Sequence, residues 1–192
     1  MADAQPIAAP CSRRYHAVHT SGTRDTKIIR WIVLHDTESA TAQAAAAWFA
    51  NPNSQGSAHL VVDDTICYRT LANDEIPWAA PGANAFGFHI EQAGFARWSA
   101  VVWRSHLVTL QRAAYKTAKH CYLFGIPTRF VDARALVAGQ PGITSHAECT
   151  KAFGGDHTDP GPMWPRRLFM TLVRRYFDEI VTDSEGVTPA RP

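Results

Sequence analysis

The sequence predicts a single α/β domain with a central mixed β-sheet flanked by helices. Three observations carry that expectation. The run IIRWIVL at 28–34 is almost continuously apolar, as in a central strand covered on both faces. Two later stretches, 57–63 and 86–92, alternate with a period of two. Two others, starting near Val101 and Pro165, carry apolar stripes at helical spacing. A chain of 192 residues fits one domain and can bury a proper core. Its 46% hydrophobic and 19% charged content is ordinary for a globular protein, which argues against wholesale disorder.

Residues 1–26 show no clean period and carry Pro6, Pro10 and Gly22, so they read as a lead-in arm. The domain proper is expected over 27–181. After the first strand comes an alanine-rich helix, TAQAAAAWFA at 41–50, stopped by Asn51-Pro52. Ala58, Leu60 and Val62 then point one way along a strand and His59 and Val61 the other. Asp63-Asp64 turns the chain into a return strand over 65–71, although the turn lacks its usual glycine. A loop rich in Pro, Ala and Gly follows at 77–85. In the next strand Phe86, Phe88 and Ile90 oppose Gly87, His89 and Glu91. One long helix is predicted over 101–124, with Trp103, Leu107, Leu110, Ala114, Ala118 and Cys121 as its stripe, ended by Gly125 and Pro127. Residues 126–163 read as loop. A last helix starts near Pro165 with Leu168, Leu172, Tyr176 and Ile180 on one face, and 182–192 reads as a tail or linker.

Bulk properties exclude several classes. A formal charge of +2 leaves no nucleic-acid footprint. No apolar run approaches the ~20 residues of a membrane span, so membrane insertion is not expected. Met1 to Pro10 has no basic segment followed by an apolar core, so the expectation is a protein made in the cytosol that stays there or leaves by another route. Cys11, Cys67, Cys121 and Cys149 form no C-x-x-C pair, and buried inert thiols without disulfides are expected. A monomer is expected.

Nine histidines are many, and His16, His19, His106 and His120 read as solvated or structurally satisfied. His35 differs, because it closes the buried strand, and the end of a central strand is where α/β proteins place ligand groups. His146 and Asp159 lie in a long segment that a compact domain tolerates mainly for function. Asp159 opens a D-P-G-P run stiff at both prolines, which would hold a carboxylate in one orientation. Catalytic zinc takes three protein ligands and leaves one position for water, and two histidines with a carboxylate meet that need. A further carboxylate must then move the proton, and Glu91 stands on the polar face of its strand for that task. Asp156, His157 and Cys149 are the competing third ligands.

Six motifs in order complete the pattern: VLHDTE at 33–38, QGSAHLVVDD at 55–64, IPWAAPG at 76–82, FGFHIE at 86–91, TSHAEC at 144–149 and DHTDPGP at 156–162. This order resembles the zinc N-acetylmuramoyl-L-alanine amidases related to peptidoglycan recognition proteins, and most of all the amidase domains of bacteriophage endolysins. The resemblance covers about residues 28–180. It implies a mixed central sheet with helices against it and a zinc site in a surface groove. It implies His35, His146 and Asp159 as zinc ligands, Glu91 as catalytic base and bacterial peptidoglycan as substrate. Relatives often carry a lysine two residues before the third ligand; here that residue is His157, which would give one hydrogen bond to the developing oxyanion. Many carry a tyrosine where this chain has Ala58, which moves the base role toward Glu91. Trp78, His59 and His89 are expected to line the groove and touch substrate. The competing readings are a peptidoglycan-binding module without activity, a cytosolic wall-recycling amidase, and a cysteine hydrolase using Cys67 or Cys149. An endolysin would be stored in the host cytoplasm and act on the wall after release.

Overall fold

The structure is a computed structural model and describes residues 6–186. A five-stranded sheet has the order β4-β3-β6-β2-β7. Its middle is parallel: β2 (Trp31–Asp36) lies between β6 (Gly87–Gln92) and β7 (Gly142–Ser145), and β3 (Leu60–Val62) runs parallel to β6. Only β4 (Cys67–Arg69), hairpinned onto β3, runs the other way. The mixed sheet expected from the sequence is present.

Strand alternation sorts the sheet into two faces. Ile32, Leu34, Leu60, Val62, Phe88, Ile90 and Ile143 pack with α3 (Leu107–Phe124) and α6 (Arg166–Gly186) in the main core. Leu110, Ala114, Ala118 and Cys121 come from α3, and Phe169, Val173 and Tyr176 from α6. On the other face Trp31 and Val33 meet Leu136 and Cys149, and Val61 and Tyr68 meet the small residues Ala42, Ala45 and Ala46 of α1 (Ala42–Phe49). This second face carries the polar side chains of the site.

Four expectations are corrected, each through a contact made at a distance along the chain. The helix over 101–124 is two helices, α2 (Ala100–Ser105) and α3, broken at His106. Asp64 makes the break, because its carboxylate accepts from the Thr109 backbone N–H and hydroxyl, both at 2.8 Å, and lies 2.7 Å from His106 Nδ1. It thus satisfies the start of α3 from 45 residues away. The segment 126–163 holds α4 (Ala133–Val137), β7 and α5 (His146–Phe153), capped by Asp132 and Ser145. The arm contributes β1 (Thr20–Thr23), antiparallel to β5 (Glu75–Pro77). Finally, Cys11 and Cys67 form a disulfide rather than two free thiols. Ser12 N–H donates to the Cys67 carbonyl at 2.8 Å, which brings the two Cα atoms to 4.6 Å. Cys121 and Cys149 are buried free thiols, as expected.

The glycine-free β3–β4 turn is held by Asp63, whose carboxylate accepts from Thr65 N, Thr65 Oγ1 and Ile66 N at 2.7–2.9 Å. The expected tail is helical as far as Gly186, and residues 187–192 lie outside the described range.

Candidate metal centre and active site

Register builds the site. β6, β2 and β7 are neighbouring parallel strands in which His35 pairs with Glu91 and Leu34 pairs with Ser145. One residue beyond that second pair stand His35 and His146. The strands therefore present Glu91, His35 and His146 in a row at their carboxyl ends, where ligands of parallel sheets are placed. His146 is the first residue of α5, with Ser145 as N-cap. Asp159 arrives from the turn beyond α5, whose Asp159 carbonyl accepts the Ala147 N–H at 2.9 Å. Gly161 lets that turn close: its φ of 91° disfavours other residues, and a Cβ there would strike the Ala96 carbonyl.

His35 Nδ1 lies 3.1 Å from Asp159 Oδ2, and His146 Nδ1 lies 3.0 Å from Asp159 Oδ1. One ligand atom from each of the three residues falls within 4.8 Å of the others, and all three residues are buried. Among the described residues no other group of histidine, cysteine and acidic side chains gathers in this way. Glu91 is next to them, with Oε1 4.0 Å from His35 Nδ1 and Oε2 buried without a hydrogen-bond partner.

Buried negative charge dominates the electrostatics. Burial works to raise the Asp159 pKa, but hydrogen bonds from His146 and His35 hold it well below the usual carboxylate range. Glu91 has no such donor. Burial first, then Asp159 and Asp36, push its pKa well above the usual value. Asp36 is raised to about 7, mainly by burial, and its Oδ2 also has no partner. Three buried carboxylates around two imidazoles, with two orphaned oxygens, fit a divalent cation by charge and by donor type.

A groove of about 630 Å³ opens over this centre. His35, Asp36, Glu91, His146, His157 and Asp159 line it, and so does Trp78. Trp78 is held by His19, which stacks on it at 4.7 Å, and by Ser21 Oγ, which accepts its indole N–H at 2.8 Å. His157 stands at the mouth, exposed, stacked on His146 at 4.1 Å with Nδ1 3.6 Å from Asp159 Oδ1. Two expected groove residues are elsewhere. His59 is fully buried, stacked on Phe88 at 4.3 Å, and its Nδ1 accepts the His89 backbone N–H at 3.0 Å. His89 is fully buried too, with Nδ1 3.0 Å from His35 Nε2. Neither reaches the groove, because both side chains lie beneath the sheet's exposed end. Two groove or support residues escaped the sequence reading, Asp36 and Gln92. Gln92 Nε2 donates to the His35 carbonyl at 3.1 Å. Their signal was the pair of polar residues that follow His35 and Glu91 at the ends of buried strands.

The competing cysteine chemistry finds no support in this geometry. Cys67 is disulfide-bonded, and burial pushes the Cys149 thiol up to about 12, so neither supplies a thiolate near neutral pH.

Two imidazoles, one carboxylate between them and a second carboxylate beside them form a set that could hold a divalent cation. The family-level comparison supplies the class. The family model for N-acetylmuramoyl-L-alanine amidase matches residues 24–162, and the chain belongs to that family. It is an amidase acting on the amide bonds of peptidoglycan. Among solved structures it is similar to the Staphylococcus aureus hydrolase AmiA in complex with its ligand, with a TM-score of 0.71 and 17% identity over 91% of this chain and 86% of that one. It is also similar to a mutant endolysin from Bacillus subtilis (TM-score 0.59, 18% identity, 86% of this chain and 99% of that one). The Se-Met AmpD derivative gives a TM-score of 0.61 at 18% identity, over 88% of this chain and 98% of that one. At such identities these likenesses concern the fold. No curated protein matches the chain in sequence.

Proposed function

We propose that this amidase uses zinc held by His35, His146 and Asp159 to cleave the bond between the lactyl group of N-acetylmuramic acid and L-alanine, with Glu91 as general base. The observation that carries the reading is the row Glu91–His35–His146 on three adjacent strand ends, closed by Asp159. Zinc, when bound, supplies a Lewis acid that lowers the pKa of water toward ~7 and polarises the scissile carbonyl.

The chain supplies the rest. Asp159 lies against Nδ1 of both imidazoles and so gathers the three donor side chains that would hold the metal. Glu91 takes a proton from the attacking water and hands it to the departing L-alanine amine. Its environment, buried and close to two other carboxylates, raises its proton affinity toward what that exchange needs. His157, at the mouth of the groove, donates one hydrogen bond to the developing oxyanion. Trp78 offers an exposed ring along the groove wall for the substrate.

The biological setting we favour is lysis of the wall from outside the cytosol, as by a phage endolysin, rather than cytosolic recycling. The Cys11–Cys67 disulfide supports it, since such bonds persist in oxidising surroundings and are rare in the cytosol. Purified peptidoglycan incubated with the protein should release stem peptides with L-alanine amino termini. Asp159→Ala should abolish the release and lower zinc content. Full cleavage by Asp159→Ala would refute the ligand set, and glycan fragments without free stem peptides would refute the bond assignment.

A further inference from the structure

A second cavity, of about 680 Å³, lies where α4 and the segment before it meet the first turns of α6. Guanidinium groups line it, from Arg129, Arg166, Arg167 and Arg174, and all of these residues are exposed. Among the described residues the arginines and lysines in ion pairs are Arg97, Lys151 and Arg175, so none of those in the cavity is neutralised by a partner. The acid on the cavity wall, Asp132, is engaged as the cap of α4, where its Oδ1 accepts the Ala135 N–H at 2.9 Å. Neutral contacts orient two of the guanidinium groups. Arg166 lies over the Phe130 ring at 4.8 Å, and Arg129 Nε donates to the Pro141 carbonyl at 3.3 Å.

α6 carries this charge against its own dipole. Arg166, Arg167, Arg174 and Arg175 lie in its first half, and Asp178, Glu179, Asp183 and Glu185 in its second. A helix macrodipole favours the opposite placement, with acids at the start and bases at the end. An anion in the cavity would offset that cost. Position then ties the cavity to the catalytic groove. Phe130, Arg166 and Arg167 also line an adjoining cavity of about 770 Å³, which shares Asp156, His157 and Thr158 with the groove over the metal centre.

We propose that the arginine-lined cavity binds a polyol-phosphate chain of the cell wall and so holds the enzyme on its substrate. Guanidinium suits phosphodiesters, because its planar fork donates two parallel hydrogen bonds to phosphate oxygens and stays charged. A nucleic acid offers the same phosphates together with bases. The aromatic ring of this cavity, Phe130, is already covered by Arg166, so no face is free for a base to stack on. The geometry therefore favours a chain without bases. That the chain comes from the wall rests on the function given above; the affinity for phosphate does not.

The test titrates the full chain with fluorescein-labelled polyglycerol phosphate at about 50 to 200 mM salt. One phosphate neutralised by each arginine predicts a log–log salt slope of about −3, a loss of ~50-fold across that range. Arg174→Gln should weaken binding ~5-fold and reduce the slope by about 0.7. Arg175→Gln removes the same charge at the next position, from a side chain that pairs with Glu179 outside the cavity, and should bind within about twofold of the parent. Thermal melting checks that both variants fold. Equal losses in the two variants, or no binding by the parent at the lowest salt, overturn the proposal. A thymidylate oligonucleotide of equal phosphate number that binds more tightly overturns the choice of a base-free chain. Capture by phosphatidylglycerol vesicles with no binding of the soluble polymer overturns it too. Peptidoglycan cleavage by a parent that ignores the polymer overturns this site alone. Polymer binding without cleavage supports the site and overturns the functional reading above.

Discussion

Reducing the Cys11–Cys67 disulfide should destabilise the fold by an amount that follows from its place in the chain. The bond closes a loop of 56 residues. Loop-closure entropy for that length corresponds to about 4 kcal/mol at 25 °C. With a urea dependence of about 2 kcal/mol per molar, the unfolding midpoint should fall by ~2 M on reduction. Other contacts moderate the loss without replacing the link. Arg112 Nη1 donates to the Pro6 carbonyl at 2.9 Å and Lys116 Nζ to the Ala9 carbonyl at 2.6 Å, so the arm keeps polar anchors on α3 when the disulfide opens. Urea melts of the oxidised and reduced protein, followed by circular dichroism, read the shift. Thiol titration of the denatured, unreduced chain gives an independent count, with only Cys121 and Cys149 expected to react. Four reactive thiols, or midpoints that coincide before and after reduction, would refute the reasoning.

Three further predictions concern the site and its scaffold. Glu91→Gln should lower kcat by ~10²–10⁴-fold while binding zinc as the parent does; unchanged turnover would place the base elsewhere. Gly161→Ala forces a side chain into positive φ against the Ala96 carbonyl, and should cost about 1–3 kcal/mol together with a loss of zinc affinity that equilibrium titration detects. Parent-like zinc binding in that variant would show that the turn does not set Asp159. His120 supplies a pH test away from the site. Burial lowers its pKa from 6.5 to about 3, so below pH 6.5 the unfolded chain binds the proton that the folded chain refuses. Its contribution is complete above pH 6.5 and is lost as pH falls toward 3, amounting to about 2 kcal/mol by pH 5. The part of the fall in urea midpoint between pH 7 and 5 that His120→Leu removes measures it, since His59 and His89, whose pKa burial also lowers, contribute to the rest.

What the sequence made legible is what strand periodicity and motif order encode. The run before His35 announces a buried strand, and its neighbours announce the face that Glu91 shares with it. D-P-G-P announces a rigid turn, and Gly161 supplies the reason, since the turn touches the Ala96 backbone. Elements fixed by remote partners were hidden. Asp64 caps α3 from the β3–β4 turn, so no helical period could show the break at His106. β7 and α5 are short, and β7 exists because β2 offers it a ladder, so His146 reads as a loop residue until the sheet is assembled. The disulfide needs Ser12 laid beside Tyr68, a pairing across more than fifty residues. His59 and His89 carry the same polar alternation as Glu91. Only depth beneath the strand ends separates a buried histidine from a groove residue.

The most direct test is zinc content and peptidoglycan cleavage measured on one preparation, with and without chelator. The account predicts about one zinc per chain, release of stem peptides at the lactyl–L-alanine bond, loss of that release with chelator and its return on adding zinc. Cleavage that persists after the metal is gone would contradict the assignment of His35, His146 and Asp159 as a catalytic metal centre.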